Sequence, residues 1–216
     1  MITGANRGIG LALSAAFKSQ GDNVYALCRK PSPALEALQV NVIPQIDVAT
    51  EVGLTELTSA LEGVSIDVLV CNAGILRDES LDRLNSDTIR EQFEVNALAP
   101  LRVVNLLQNN LVNGSKVAMI TSRMGSIADN GSGGRYGYRM SKAALNAASM
   151  SLAKDLAPRG ISVGIYHPGY VQTDMVNHGG DISTTECSER LLELINELTM
   201  YDTGVFKHSN GQTLPW

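Results

Sequence analysis

The sequence predicts an α/β protein with three layers, in which a mostly parallel sheet lies between two layers of helices. Two observations predict this doubly wound architecture. Short apolar segments alternate with longer segments of helical periodicity, and the short segments are apolar on both faces, as strands buried inside a parallel sheet are. Right-handed crossovers then place helices on both faces, and ligands bind beyond the carboxyl ends of the strands. We therefore expect the functional residues in the strand-to-helix loops.

Five segments predict strands because they are short, apolar and rich in β-branched residues. They are 23–28, 40–46, 67–71, 115–121 and 161–166. Another strand precedes them, but only Met1, Ile2 and Thr3 come before the first glycine. We therefore expect a first strand shortened by the start of the sequence. Its neighbours would lack some ladder partners, and each unpaired buried backbone group costs about 1 to 3 kcal/mol.

Helices are predicted wherever apolar residues recur at three- and four-residue spacing. These segments are 10–20, 51–62, 87–111 and 138–156. A further helix is expected over 189–198, after a polar segment at 174–188 that contains Gly179-Gly180. We interpret that polar segment as a mobile lid.

Composition is typical of one globular domain. The chain has 216 residues, of which 44% are hydrophobic and 18% charged, far from the composition of disordered chains. No repeat, low-complexity tract or Pro/Gly/Ser-rich linker divides it, so residues 1–216 are interpreted as a single domain.

Charge and cysteine content exclude several classes of function. The net charge of −5 and the scattered basic residues argue against a nucleic-acid partner. No segment has the roughly 18 uninterrupted apolar residues of a membrane helix, and Arg7 interrupts the start of the chain, so we expect no membrane partner and a cytoplasmic location. Cys28, Cys71 and Cys187 cannot all pair and lack metal-ligand spacing, so neither a disulfide scaffold nor a metal site is predicted.

A glycine-rich turn lies between the first strand and the first helix, which is the context of a dinucleotide-binding turn. Its glycines let the backbone approach a pyrophosphate, and the helix N-terminus offers unpaired N–H groups and the positive end of the helix dipole. The alternative is a tight turn that binds no ligand. The turn reads Thr3-Gly4-Ala5-Asn6-Arg7-Gly8-Ile9-Gly10, and its candidate cofactor contacts are Gly4, Asn6, Arg7, Gly8, Ile9 and Gly10.

Basic residues follow the second predicted strand, where NAD-binding proteins have an acidic residue that bonds the adenosine ribose. Here the chain has Arg29 and Lys30. Arg29 can bind a 2′-phosphate bidentately, helped by Arg7, so the pattern favours NADP over NAD. The alternative is that these are ordinary solvated charges at a strand end. Asp47 and Val48, after the third strand, are candidate contacts of the adenine or part of an ordinary loop.

The pattern with the most chemical content is Tyr138 and Lys142, four residues apart on one predicted helix. At this spacing the Cβ atoms lie about 6 Å apart, so the ammonium can act on the phenol. Ser122 follows the fifth predicted strand, and Asn96 lies in the helix after the fourth. Singly, the tyrosine could pack in the core, the serine could cap a strand end and the asparagine could bond a helix carbonyl. Their joint occurrence favours a catalytic site.

Together these motifs resemble the short-chain dehydrogenase/reductase family along the whole chain. The resemblance implies a Rossmann fold with about seven strands and a pyrophosphate site at residues 3–10. It implies an adenosine-side motif at Asn72, Ala73 and Gly74, a nicotinamide site at Pro168, Gly169, Val171 and Thr173, and catalytic residues at Asn96, Ser122, Tyr138 and Lys142. A narrower similarity to the C-factor and sniffer-type carbonyl reductases rests on Asn6-Arg7-Gly8, Cys28-Arg29, Tyr138-Arg139-Met140-Ser141-Lys142, His167-Pro168-Gly169 and Leu214-Pro215-Trp216.

The resemblance implies NADP(H)-dependent reduction of a ketone or aldehyde to an alcohol. Tyr138 would exchange the proton and also contact the cofactor, and Lys142 would hold the ribose hydroxyls and lower the pKa of the phenol. A cation about 4 Å away supplies around 4 kcal/mol, or about three pKa units, at an effective dielectric near 20. Ser122 would bond the developing alkoxide, and Asn96 would position a relay water.

The resemblance also implies a homodimer or homotetramer, assembled through the helices over 87–111 and 138–156. The alternative function is an NADP-binding signalling protein of the C-factor type with little turnover. Hydrolysis at Ser122 is disfavoured because no His-Asp arrangement accompanies it.

The loop before Tyr138 differs from the family pattern, and the three histidines form no catalytic or metal-binding pattern. Ser122 and Tyr138 are further apart than is usual, because a polar loop at 129–135 lies between them, and we expect this loop at the substrate entrance. His167, His178 and His208 do not cluster in sequence, so they are assigned structural or surface roles.

Overall fold

A seven-stranded parallel sheet forms the centre of the protein in the computed structural model, which describes residues 1–216. The strand order is β3-β2-β1-β4-β5-β6-β7, so the order reverses at β1 and β4. The strands are β1 (Ile2–Thr3), β2 (Tyr25–Leu27), β3 (Asn41–Ile43), β4 (Ile66–Cys71), β5 (Leu111–Ile120), β6 (Ser162–His167) and β7 (Phe206–His208). Every pair of neighbouring strands is parallel, as predicted.

Helices cover both faces of the sheet. They are α1 (Gly8–Ser19), α2 (Pro33–Glu36), α3 (Glu51–Ala60), α4 (Ser86–Phe93), α5 (Ala99–Leu107), α6 (Tyr136–Leu156) and α7 (Thr184–Glu197). One hydrophobic core joins the sheet to α3, α5 and α6, and a second joins it to α1, α2 and α7. This arrangement confirms the three-layer, Rossmann-like fold.

Strand β5 shows why the interior strands are apolar along their whole length. Val117 and Met119 pack in the core with α3, α5 and α6, whereas Ala118 and Ile120 pack in the core with α1 and α7. Since successive side chains of a strand point to opposite faces, a strand covered on both sides has no position for a solvated residue.

The first strand has two residues, and the chain start is bonded into the sheet. The Met1 ammonium donates to the Val68 carbonyl at 2.7 Å, and the Met1 carbonyl accepts from Val70 N–H at 2.8 Å. Burial lowers the pKa of this amine to about 6. A cavity of about 440 Å³ lies beside it, at the amino ends of β1, β2 and β4. The expected shortened strand is therefore present, and an open space lies next to it.

The prediction of one helix over 87–111 is wrong. The segment contains α4, a π-helical turn at Glu94–Leu98 and α5, and β5 already begins at Leu111. Pro100 supplies the physical reason. It has no N–H, so it cannot make the bond to the carbonyl of Asn96 that a continuous α-helix requires, and the backbone widens locally. Asn96 consequently lies in the π-helical turn.

The predicted lid over 174–188 is also shorter in the structure. A 3₁₀ turn occupies Asp174–Val176, and α7 begins at Thr184 instead of near residue 189. The Ser183 hydroxyl accepts from the Glu186 N–H at 3.0 Å and caps the helix. A serine followed three residues later by glutamate is a capping signature that the apolar periodicity does not reveal. No helix in the protein is long and apolar enough to cross a membrane.

Candidate active site

The glycine turn, residues 3–10, is bonded to the segment that follows β4. The Thr3 hydroxyl accepts from the N–H groups of Asn72 and Ala73, at 3.0 and 3.1 Å. The Asn72 amide donates to the carbonyls of Thr3 and Gly4, at 3.0 and 3.3 Å. Asn72 is thus committed to holding the turn in place, and any effect it has on a cofactor passes through the turn.

The start of α1 has the features of an anion cradle. No side chain caps this helix, and the N–H groups of Gly8, Ile9 and Gly10 donate to no protein acceptor. A Cβ atom at Gly10 would collide with the Gly4 carbonyl and the Asn72 amide, so only glycine fits there. Unpaired N–H groups at a helix N-terminus bind phosphate well, so the residues present fit a dinucleotide.

The two arginines proposed to bind a 2′-phosphate are each beside a carboxylate. Arg7 Nη1 lies 3.0 Å from Asp174 Oδ2, and Arg29 Nη1 lies 4.0 Å from Asp47 Oδ2. Both arginine side chains are more than two-thirds exposed. Exposed ion pairs contribute at most about 1 kcal/mol, so a phosphate can displace either carboxylate.

The remaining candidate cofactor contacts differ in what they offer. The side chains of Val48 and Val171 are buried in the two cores, which leaves only their backbones to face a ligand. Gly169 has a φ of +97°, and a Cβ atom there would lie 3.3 Å from Ile182. The Thr173 methyl lies close to Gly8, so the segment after β6 meets the glycine turn across the groove.

The candidate catalytic side chains lie at the carboxyl ends of the central strands. Tyr138 and Lys142 belong to the first two turns of α6, Ser122 follows β5, and Asn96 lies in the π-helical turn. Their exposed fractions are 9%, 4%, 6% and 0% respectively. We call these four candidate residues the catalytic cluster, after the role proposed for them below.

Burial dominates the electrostatics of the catalytic cluster. Burial raises the pKa of Tyr138, and a hydrogen bond from Ser122 and the charge of Arg135 oppose that rise. Burial also lowers the pKa of Lys142 to about 8. The Lys142 Nζ donates to the Ile120 carbonyl at 3.0 Å and lies 5.8 Å from the centroid of the Tyr138 ring. The protein's own groups therefore leave the phenol protonated at neutral pH.

The Asn96 side chain is occupied by protein groups. Its amide nitrogen donates to the Ile75 carbonyl at 2.8 Å and to the Ser141 hydroxyl at 3.0 Å. Its oxygen accepts from the Ile75 N–H at 2.8 Å. A Cβ atom at Gly74 would lie 3.2 Å from that oxygen and 3.7 Å from Lys142 Nζ. Asn96 thus connects the segment after β4 to the helix that carries Lys142.

Sequence reasoning missed a pair of histidines beside the cluster. The rings of His167 and His208 meet edge to face, with centroids 4.9 Å apart. Burial, together with the charges of His208, Arg123 and Lys142, lowers the pKa of His167 to about 3, and the charge of Asp129 opposes this shift. Its Nδ1 is buried and unpaired. The signal available in the sequence was topological, since the two residues end adjacent strands.

Arginine side chains hold the loop between Ser122 and α6 through ion pairs and a hydrogen bond. Arg123 pairs with Asp129, and Arg135 pairs with Asp78 at 3.1 Å. Arg139 donates to the Ser132 hydroxyl at 2.8 Å. The loop that we expect at the substrate entrance therefore has a defined conformation.

Comparison with known proteins identifies relatives along the chain. A family model described as short chain dehydrogenase matches residues 1–181. The 1-hydroxy-2-glutathionyl-2-methyl-3-butene dehydrogenase of Rhodococcus sp. (strain AD45) is 36% identical over 222 residues, covering 100% of this chain and 98% of that protein. The C-signal of Myxococcus xanthus is 40% identical over 154 residues, covering 70% of this chain and 93% of that protein.

Solved structures show the same similarity. The carbonyl reductase Sniffer of D. melanogaster has a TM-score of 0.92 at 28% identity and covers 100% of this chain and 98% of its own. The NADPH-bound carbonyl reductase from chicken fatty liver has a TM-score of 0.86 at 27% identity, and the match covers 100% of this chain and 97% of that one.

Proposed function

We propose that this chain, which belongs to the short-chain dehydrogenase family, uses NADP(H) to reduce a ketone or aldehyde to an alcohol. The observation that carries the proposal is the catalytic cluster. The cluster contains a buried tyrosine, a serine within hydrogen-bonding reach of it and a buried lysine beside its ring. These groups lie at the carboxyl end of the sheet, where the glycine turn presents free N–H groups. Such an arrangement supplies an acid and an oxyanion donor next to a dinucleotide site.

The cofactor would be held by the backbone of the glycine turn and by Arg7 and Arg29. When bound, it supplies the hydride that the carbonyl carbon receives. The cationic pair Arg29 and Lys30 supports a 2′-phosphate, and the similar solved structures include carbonyl reductases with bound NADP or NADPH.

In the proposed mechanism, Tyr138 donates its phenolic proton to the carbonyl oxygen. Its raised pKa suits an acid, since the phenol carries its proton at neutral pH. The Ser122 oxygen accepts from the Met124 N–H at 3.1 Å, so its one hydroxyl hydrogen, which bonds the Tyr138 oxygen, would turn to bond the developing alkoxide. Lys142 stabilises the phenolate that remains, because a pKa of about 8 keeps most of the ammonium charged at pH 7.

We also propose that Asn96 positions the relay water through its backbone. Its side chain is already bonded to Ile75 and Ser141. Its carbonyl lacks the partner that an α-helix would provide, because Pro100 has no N–H. This carbonyl is therefore the acceptor through which a water would connect to the Lys142 ammonium.

Cofactor binding and turnover test the proposal in one sample. We expect NADPH to bind more tightly than NADH, as measured by nicotinamide fluorescence, and to be oxidised in the presence of some members of a panel of ketones and aldehydes. NADPH binding without turnover on a broad panel would contradict the reductase activity. Tighter binding of NADH would contradict the assignment of Arg29.

A second candidate is a regulatory protein that binds NADP and acts through protein contacts. It is favoured by the similarity to the C-signal over 70% of the chain. The intact catalytic cluster favours the enzyme, since a sensor needs no buried proton donor. NADPH binding with no carbonyl reduction would favour this second function.

We further propose a homodimer or homotetramer, built through α4, α5 and α6. Phe93, Leu106 and Met140 are large apolar residues at least one-third exposed on these helices. Covering such residues against a second copy buries apolar surface. Light scattering during gel filtration would show the mass, and a monomer would contradict the proposal.

A further inference from the structure

The helix that carries Tyr138 and Lys142 begins without a cap of its own. Arg135, at the position before the helix, has a left-handed φ of +50° and its side chain makes no capping bond. Glu79, which lies 58 positions before Gly137 in the chain, provides the cap instead. Gly137 N–H donates to Glu79 Oε2 at 3.3 Å, and Arg135 N–H donates to the Glu79 carbonyl at 2.8 Å. The bonded N–H immediately precedes the catalytic tyrosine.

Glu79 is a buried carboxylate whose partners are all neutral. It is 4% exposed and takes part in no ion pair. Besides Gly137, it accepts from the Thr88 hydroxyl at 2.6 Å and from the Gln92 amide at 2.7 Å, both through Oε1. An ion without a counter-ion is costly to bury, so the positive end of the α6 dipole is part of what holds this charge.

The approach of α4 to α6 makes this contact possible. A Cβ atom at Gly137 would collide with the Gln92 amide and lie 3.0 Å from Ile89 Cα and 3.2 Å from Glu79 Oε1. Only glycine therefore allows the carboxylate and α4 to reach the start of α6. The position of Tyr138 depends on groups from the segment after β4 and from α4, which lie outside its own helix.

We propose that Glu79 is a positioning residue for Tyr138, which caps α6 from another segment and aims the phenol at the substrate. This inference rests on the proposed reductase function and extends it to a residue with no contact to the reacting atoms. General acids work only within hydrogen-bond reach of their target, and a displacement of about 1 Å can cost about 100-fold in rate.

The cap has a second consequence for Tyr138. Burial raises the pKa of the phenol, the hydrogen bond from Ser122 and the charge of Arg135 oppose that rise, and Lys142 Nζ lies 5.8 Å from the centroid of the ring. Loss of the cap would move the phenol away from Ser122, so the bond that favours the phenolate would weaken. Breaking the cap should therefore raise the pKa of Tyr138.

The test compares Glu79→Gln with Thr88→Val. The amide of Glu79→Gln can keep the two bonds from α4 through its oxygen, but its NH₂ would face the Gly137 N–H and break the cap. Thr88→Val removes one α4 bond and leaves the cap intact. We expect kcat to fall at least about tenfold in Glu79→Gln, with the Kd for NADPH within about twofold, and kcat to change less than about twofold in Thr88→Val.

The titration of Tyr138 is a readout that a merely structural role would not move. In samples with ¹³Cζ-labelled tyrosine, assigned with Tyr138→Phe, we expect the Tyr138 resonance to titrate at higher pH in Glu79→Gln than in the unmutated protein or in Thr88→Val, because the phenol loses its bond from Ser122. In turnover, the loss of kcat as pH rises should move to higher pH in the same variant.

Equal kcat and an unmoved Tyr138 titration in both variants would overturn the inference. If the unmutated protein reduces no carbonyl, the proposed function fails by itself, and the titration still decides whether Glu79 acts on Tyr138. Should Glu79→Gln not fold, Glu79→Asp keeps the charge but shortens the reach. It should lower kcat with a smaller change in the titration, and an unchanged kcat there would also overturn the inference.

Discussion

The cofactor side of the site and the catalytic cluster are held in opposite ways. The glycine turn offers backbone N–H groups, and its two arginines are exposed and in weak ion pairs. The catalytic cluster consists of side chains that are at most 9% exposed, with pKa values displaced by burial. Exposed backbone N–H groups and solvated charged side chains can exchange hydrogen-bond partners at little cost in free energy. Buried polar groups, in contrast, must be positioned by the surrounding protein. The cofactor side is thus suited to exchange, and the cluster to fixed geometry.

The largest expected effect lies in the catalytic cluster. Tyr138→Phe removes the proposed acid and keeps the ring, so kcat should fall by about a thousandfold while the Kd for NADPH stays within about twofold. Steady-state kinetics and fluorescence titration measure the two quantities. Tyr136→Phe, at the more exposed start of the same helix, is the matched control. Unimpaired reduction by Tyr138→Phe would refute the assignment.

A smaller effect is expected on the cofactor side. Arg29→Ala removes a charge-assisted contact to the 2′-phosphate, so the Kd for NADPH should rise by about 10- to 100-fold while that for NADH is unchanged. Lys30→Ala is the neighbouring control and should have a lesser effect. Equal losses for both cofactors would show that Arg29 does not read the 2′-phosphate.

The difference in burial predicts that removing a buried cation changes stability, whereas removing an exposed one does not. Lys142→Met removes a buried cation whose pKa is lowered from 10.5 to about 8, a penalty of about 3 kcal/mol at pH 7. Loss of the bond to the Ile120 carbonyl offsets part of this, so the unfolding free energy should rise by about 1 to 2 kcal/mol while activity is lost. Arg29→Met, at an exposed position, should leave stability unchanged.

The sign of the pH dependence tests that prediction. Between pH 8 and 10.5 the unfolded chain binds more protons at Lys142 than the folded chain does, so the penalty in the unmutated protein shrinks as pH rises. The stability gain of Lys142→Met should therefore be smaller at pH 9.5 than at pH 7. Denaturant titrations at both values measure it, and a gain independent of pH would contradict a buried-charge origin.

The smallest expected effect concerns the ion pair between Arg7 and Asp174. Asp174→Asn frees Arg7 for the cofactor phosphate, so the affinity for NADPH should rise by up to about fivefold. This factor corresponds to about 1 kcal/mol, the upper contribution of one exposed ion pair. The gain should shrink in high salt. Weaker binding of NADPH would mean instead that Asp174 is needed to keep the segment after Thr173 next to the glycine turn.

Local patterns in the sequence were sufficient for the architecture but not for its boundaries. Alternation of apolar segments predicted the parallel sheet and its two helical layers, because burial on both faces leaves a direct trace in composition. The helix over 87–111 was misjudged at Pro100, and the start of α7 at Ser183. In both cases one residue changes the local backbone hydrogen bonding, Pro100 because it lacks an N–H and Ser183 because its hydroxyl caps a helix, and apolar periodicity detects neither.

Sequence spacing placed Tyr138 and Lys142 on one helix face and the glycine turn before a helix, because those relations lie within a few residues. Three other features could be identified only in the folded chain. They are the hydrogen-bond partners of Asn96, the contact between His167 and His208, and the cap that Glu79 provides. Glu79 and Gly137 are 58 positions apart, and the two histidines are 41 apart. Such contacts arise only when the sheet order and helix packing bring distant segments together, and no local periodicity encodes that geometry.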